Sequence, residues 1–574
     1  MKVIGKYRVP FAVKGGGHAT SPGFSSTTGI QISMCRFNKI EVKKDTSDFL
    51  TERDAKHSLV RVGAGCLFDE VYRAVVPHGL NIVGGSSIGG VGIGGWLLGG
   101  GYSLKTNQYG MGIDNIIRVQ IVLPNGTSRE VSVLSEGEDK ELFWAVKGGR
   151  DNFGIVTEFT IRAHTQVKPI FGALLTYELE EHEEAKIAIE KFARQEDPKA
   201  SIVAAFRHFN RSGTVQSKLT VQCFYDGPIP RTRPFAEFMK IEHKTDSGGG
   251  DTVGHESLAT SAPIIRTLGA TISDQHSTKG MTRPTSSQSQ PEEPSLGLQE
   301  YHSYEGFEEA FSLLDEKVEQ ELSLFDEKVE QELSLFKEKL EQEFSALSDK
   351  LDRQIIREIQ TGNINSGSNN AGSNVGPGPI KLENLAPQAP ERIKRSMAGV
   401  GENPRGRWGN VMVDVYTKPI IDEIARQSSK ASRQMLNHGG KRVVIDIWPF
   451  TKSMFDHSTP SAWPHDSGSR NGHIVAYFIW EDPKNDQFWI KVMEDALSAI
   501  KAKISAARGD GADPLPVYSN TALGSTKVED IYGENLDELR RLRKKFDPEL
   551  VMDLARGFKI PHPPAEATAD KDSE

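Results

Sequence analysis

Twelve of the 29 residues from Gly84 to Gly112 are glycine, in the run GGSSIGGVGIGGWLLGGGYSLKTNQYGMG. Backbone N–H groups in such a run can approach an anion without interference from Cβ, and successive ones form nests that hold phosphate. Upstream, VKGGGH (13–18) follows a strand-like run and has the same property, with His18 at its end. Two glycine-rich loops, each after a strand in one domain, point to a long phosphate-bearing cofactor held in more than one place. Tight turns alone would explain isolated glycines; a cluster flanked by apolar residues asks for more.

Three sharper motifs compete within this region. Gly90-Val91-Gly92-Ile93-Gly94-Gly95 satisfies GxGxxG, but a dinucleotide-binding turn must open a helix, and WLLGGGY places three glycines where that helix would run. Residues 85–89 satisfy GxSxG, and a nucleophile elbow needs a following helix as well. Both readings are disfavoured by that context. Other classes fall to composition. The net charge of 69 − 78 = −9 gives no support to a protein that neutralises nucleic-acid phosphates. Cys35, Cys66 and Cys223 stand far apart with no CxxC, against a disulfide framework or a thiolate zinc site. No apolar run reaches the ~18 residues of a membrane span. The start, MKVIGKYRVPFAV, shows no signal-peptide core, so localisation stays open; the glycosylation triplets at Asn125 and Asn210 do not decide it.

Along the chain, VPFAV (9–13), GIQISM (29–34), LVRVGAG (59–65) and NIIRVQIVL (115–123) read as strands. Phe68 to Val76 has helical spacing with Gly79 as a stop, PNGT (124–127) reads as a hairpin turn, and residues 154–164 read as a strand. From about 168 the texture changes to longer strands and amphipathic helices, resuming at 407, which suggests an α+β domain with an antiparallel sheet. Between these halves, 243–300 is rich in Ser, Thr, Gly and Pro. An 11-residue repeat then appears four times over 312–355, and a Gly/Ser/Asn linker follows. Eleven residues over three turns predicts a long helix with a slightly right-handed apolar stripe, a coiled-coil-like segment with a possible helical partner. It holds 13 acids and 6 bases, so nearly all of the chain's net acidity sits there.

VKGGGHATSPG, GGVGIGGWLLGGGYSLKTNQYG, MGIDNI and ELFWAVKGGRDNFGIVTEFTIRAH together resemble the FAD domain of the vanillyl-alcohol-oxidase/p-cresol-methylhydroxylase superfamily. The nearest branch is the berberine-bridge-like oxidoreductases of fungal type, and IYGENLDELRRLRKKFDPELVM (531–552) is similar to the terminal segment of that branch. The resemblance covers about residues 7–242 and 405–560. It implies an α+β protein with a two-part FAD-binding domain, 1–167 with a C-terminal return at 509–574. It also implies a substrate domain, 168–508, interrupted by the repeat insert (243–393).

By the same resemblance, Gly15, Gly16 and Gly17 wrap the FAD pyrophosphate and His18 bonds covalently to the flavin. Gly92, Gly94 and Gly95 form the second FAD loop, and Val156 makes a backbone contact. The position of a second, cysteine-mediated link falls on Ile88, so attachment through His18 alone is expected; Cys66 reads as a small buried side chain. The oxygen-gating position falls on Val91, whose small side chain implies access of O₂. Tyr518 and Asn520, in PVYSN, resemble a Tyr-x-Asn element beside the flavin, with Thr521 in place of a second tyrosine. His465, in SAWPHD, falls near a substrate-side segment. The implied function is an FAD-dependent oxidase of an alcohol, sugar or secondary metabolite, with O₂ as acceptor. The alternatives are a dehydrogenase using another acceptor and an inactive helical scaffold. Two departures stand out: relatives carry a strand–helix unit ahead of the segment equivalent to KYRVPFAV, where six residues precede Tyr7 here, and the repeat insert interrupts the substrate domain.

Overall fold

Short β-branched runs separated by glycine or turn residues pair wherever one face can be buried. The computed structural model describes residues 1–43, 58–85, 91–166, 170–178, 182–228, 234–245, 405–467 and 472–564. The repeat helix expected at 312–355, its linkers and Ile88 lie outside these residues. The first half opens with a short helix, Lys2–Tyr7, and a parallel pair, β1 (Phe11–Lys14) and β2 (Ile30–Ser33). A six-stranded sheet follows: β3 (Ile40–Lys43), β4 (Ser58–Gly63), β5 (Leu80–Ile82), β6 (Ile116–Val122), β7 (Ser128–Ser132) and β8 (Ile155–Thr165). Its order is β3-β4-β8-β6-β7, with β5 also on β8, and every pairing is antiparallel. The helix Phe68–Val75 buries Phe68, Val71 and Val75 in the core beneath.

The chain end completes that core. The helix Leu536–Phe546 inserts Leu539 and Leu542, while its buried Arg543 donates to the Asn152 carbonyl at 2.8 Å and pairs with Asp547 and Asp553 at 2.9 and 2.6 Å. A buried guanidinium is tolerable only with such partners, so residues 536–553 are pinned to the loop that precedes β8.

The second half builds one antiparallel sheet from β9 (Phe171–Tyr177), β10 (Ala200–Arg211), β11 (Thr214–Tyr225), β12 (Lys244–Thr245), β13 (Arg405–Val413), β14 (Gly440–Trp448) and β15 (Gly472–Trp480). The order is β12-β9-β11-β10-β14-β15-β13, so β13 sits at an edge beyond strands that follow it in sequence. Alternate residues such as Val443, Ile445 and Ile447 join a core with the helices His182–Phe192, Lys418–Ser432 and Asp486–Arg508. With its helices on one face, the sheet turns its other face to the glycine loops: an α+β architecture. Buried polar contacts hold it there, among them Lys105 Nζ to Asp226 at 2.7 Å and Ser201 Oγ to the Leu104 carbonyl at 2.7 Å.

Two local features differ from the sequence reading. A helix does open within the GVGIGG run, Ile93–Leu98, but it has six residues and stops at Gly99, too short for a dinucleotide-binding unit. In addition, Phe450, Met454, Phe455, Ala462 and Trp463, within the span 168–508, pack into the core of the first half.

Candidate active site

The two glycine loops meet at the wall of one cavity of about 330 Å³. Gly15, Gly16, Gly17 and His18 come from the loop after β1; Val91, Gly92, Gly94 and Gly95 come from the second loop; Val156 comes from the start of β8. A Cβ on Gly92 would lie 2.3 Å from the Gly16 nitrogen, so the loops touch backbone to backbone. Gly17 holds φ +77°, in the region that favours glycine. The N–H groups of Gly16 and Gly17 make no hydrogen bond among the described residues. Unpaired N–H groups in a glycine cradle suit a pyrophosphate, so these residues fit an FAD.

His18 stands on the open cavity, and the protein around it holds its pKa below the ordinary histidine value through desolvation. That favours the neutral ring. Tyr518 and Asn520 also line the cavity, although they lie about 400 residues away in sequence. The Tyr518 hydroxyl accepts from the Gly101 and Tyr102 N–H groups at 3.2 and 3.3 Å and from Asn520 Nδ2 at 2.8 Å. Burial raises its pKa despite these donors. Asn520 is fixed further by donating to the Trp96 carbonyl at 2.9 Å and accepting from Arg150 at 2.8 Å.

His465 is placed elsewhere. It is buried outside the cavity wall, with Nε2 2.8 Å from Asp114 and Nδ1 2.9 Å from the Trp463 carbonyl. Burial opposes its charge, but Asp114 outweighs that and raises the pKa, while His465 holds the Asp114 carboxyl below its ordinary value against the same burial. The pair staples the 459–465 segment to residues 111–114 and seats Trp463 edge-on against Tyr518, ring centroids 6.2 Å apart. Cys66 is buried, with its Sγ 3.9 Å from the Phe37 and Lys39 carbonyls, away from the cavity lining.

The sheet contributes groups that sequence reasoning missed. Asp446, Trp448 and His473 line the cavity from β14 and β15. Among the described residues, buried Oδ1 of Asp446 and Nδ1 of His473 have no hydrogen-bond partner. Burial pushes the Asp446 pKa up to about 6 and the His473 pKa down to about 3. The signal was present in KRVVIDIW: one carboxylate inside an otherwise apolar strand, on the face opposite Ile445 and Ile447.

Glycine loops, a histidine and a buried carboxyl gather around one cavity, an arrangement that suits an FAD, and the comparisons point the same way. Residues 1–132 match the family described as "FAD binding domain". An uncharacterized FAD-linked oxidoreductase of Arthroderma benhamiae is 34% identical over 233 residues, 40% of this chain and 43% of that protein. The chain spans less than half the length of the curated relatives it matches. Among solved structures, a variant of berberine bridge enzyme superposes with TM-score 0.58 at 13% identity, covering 98% of this chain and 88% of that one. Wild-type Phl p 4.0202, a glucose dehydrogenase, and an isoleucine-to-valine variant of Phl p 4, a glucose oxidase, both superpose with TM-score 0.56 at 14% identity, covering 98% and 87%. The resemblance to berberine-bridge-like FAD-linked oxidoreductases stands on these matches.

Proposed function

We propose that the protein is an FAD-dependent oxidase that removes hydrogen from a C–H next to an ionisable O–H or N–H group of a small molecule. The observation that carries this reading is Asp446: a carboxyl on the cavity wall, with a buried oxygen that has no partner and a pKa near neutrality. Bound FAD would supply the hydride acceptor, which no side chain can replace. Gly15, Gly16, Gly17, Gly92, Gly94, Gly95 and Val156 would hold it, and the neutral imidazole of His18 would attach it. Asp446 takes the proton from the substrate's O–H on its carboxylate, a general-base role that is most efficient when the base's pKa lies near the working pH. His473, kept uncharged by burial, and Tyr518 wall the same space with fixed dipoles. Val91 leaves a small side chain beside this site. The isoleucine-to-valine variant of Phl p 4 is a glucose oxidase while a wild-type form is a glucose dehydrogenase, which favours O₂ as acceptor here.

The test starts with the colour of the purified protein. Asp446→Asn should keep the flavin content and lower kcat by ~10²–10⁴ on whichever alcohol or sugar of a panel turns over. Peroxide should match substrate consumed. Unchanged kcat in Asp446→Asn, or a flavin that is reduced by substrate but slow with air, overturns the base or the oxidase assignment respectively.

A further inference from the structure

One row outward from Asp446 on the cavity-facing side of the sheet, two cations stand directly opposite each other. Arg207 on β10 pairs in register with Lys218 on β11. Like charges in that position repel and destabilise a sheet unless an anion sits between them. Neither side chain takes part in an ion pair among the described residues, and buried Nε of Arg207 has no hydrogen-bond partner. Ala205 pairs with Asp446, so Arg207 lies diagonally from the carboxylate on the same face. Asp446 is the counter-charge that offsets the burial of Arg207, but at a longer range than an ion pair.

The surroundings narrow the chemistry. Thr220, directly across from Ala205, is 8% exposed, and its Oγ1 has no partner among the described residues. Arg442 lies on the far side of Arg207, with its guanidinium 5.0 Å from the Phe209 ring centre. On the other flank the same row continues through Val444 to Tyr477 and Trp408, whose rings stack at 4.2 Å and 16°. Trp408 also lines the cavity. Donors and positive charge at one end, with an aromatic platform at the other, flank the catalytic carboxylate.

We propose that Arg207 and Lys218, with the Thr220 hydroxyl, form an anion subsite that takes the carboxylate of an aromatic acid substrate. The aryl ring would then lie over the Tyr477–Trp408 side, and the reacting group beside Asp446. Arg207 offers a planar fork matched to a carboxylate, and Lys218 a point charge. This assignment rests on the reading of the cavity as a substrate site.

The test titrates the full-length protein with sodium benzoate and with neutral, isosteric benzamide at constant ionic strength, by calorimetry and by the absorbance of any bound flavin. Benzoate should bind more tightly than benzamide. Arg207→Gln should weaken benzoate at least about tenfold, as loss of a charge-assisted hydrogen bond does, and leave benzamide unchanged. Arg207→Lys should restore part of that loss. Lys218→Gln should weaken benzoate in the same direction, so the proposal stays testable if Arg207→Gln fails to fold. Flavin content should be equal in all variants. Benzoate binding no tighter than benzamide, equal binding by Arg207→Gln, or equal competition by sulfate, which marks a solvated basic patch only, each overturns the subsite. A colourless protein that still binds benzoate through Arg207 would refute the flavin reading and leave the subsite standing.

Discussion

Gly92→Ala and Gly95→Ala, three residues apart, should behave oppositely. Gly92 has φ −79° and ψ 139°, which alanine adopts freely. By backbone entropy alone the substitution would stabilise by ~0.4–1 kcal/mol. Its Cβ, however, would lie 2.3 Å from the Gly16 nitrogen and 2.8 Å from the Gly16 Cα. Restoring ordinary contact near ~3.5 Å requires the two loops to part by about 1 Å. Overpacking of that kind costs ~1–3 kcal/mol, so the contact decides the sign. The displaced groups are those that would face the pyrophosphate, so flavin content should fall with stability. Gly95 sits in the helix Ile93–Leu98 with nothing within 4 Å of its Cβ position. Alanine there should raise the stability of the flavin-free protein by up to ~1 kcal/mol, yet lower the flavin content, because the new methyl projects at the cavity wall. Thermal unfolding and flavin absorbance per mole of protein check both. A Gly92→Ala protein with unaltered midpoint and full flavin would refute the argument that these loops form the cradle by direct contact.

Removing His465 by substitution with Ala takes the charged partner from buried Asp114, which keeps its hydrogen bonds from Met111 and Thr459, and should cost ~1.5–3 kcal/mol in denaturant unfolding. The pair's stabilisation is fully present between the ordinary carboxylate and the ordinary histidine values. It is lost as pH falls through the depressed Asp114 value and as pH rises through that of His465, a dependence the alanine variant should lack. His18→Ala should release all flavin into the supernatant on acid precipitation, whereas Cys66→Ala should change nothing; flavin that stays attached in His18→Ala sinks the attachment site. Activity should rise with pH as Asp446 loses its proton near about 6, and that limb should vanish in Asp446→Asn. Val91→Leu should slow reoxidation of the reduced flavin in air, measured by stopped flow, without altering its reduction by substrate.

Much of the cofactor side was legible because its determinants are local. Glycine loops after strands, the helix over Phe68–Val75 and the histidine closing GGGH are set by residues a few positions apart. The structure brings Gly15, Gly16, Gly17, His18, Gly92, Gly94 and Gly95 to one cavity. The substrate side was legible only in part. Tyr518 and Asn520 reach the cavity, but His465 looked as eligible as any histidine until Asp114, 351 residues away, claimed its Nε2. Asp446 was overlooked because a lone carboxylate in an apolar strand declares which face it shares, not what that face meets.

The sequence by itself determined where backbone could come close to an anion, which residues alternate to a common face, and where helices begin and stop, since periodicity and steric permission act over one or two turns of chain. Only the tertiary structure decided that β10 lies between β11 and β14, so that Ala205 faces Asp446 on one side and Thr220 on the other and Arg207 faces Lys218. Strand order is chosen by burial summed over the whole sheet and by buried contacts such as Lys105 with Asp226, and no local pattern encodes that sum. The electrostatics of the cavity depend on it, because a carboxyl takes a pKa near about 6 only when distant strands have removed the water around it.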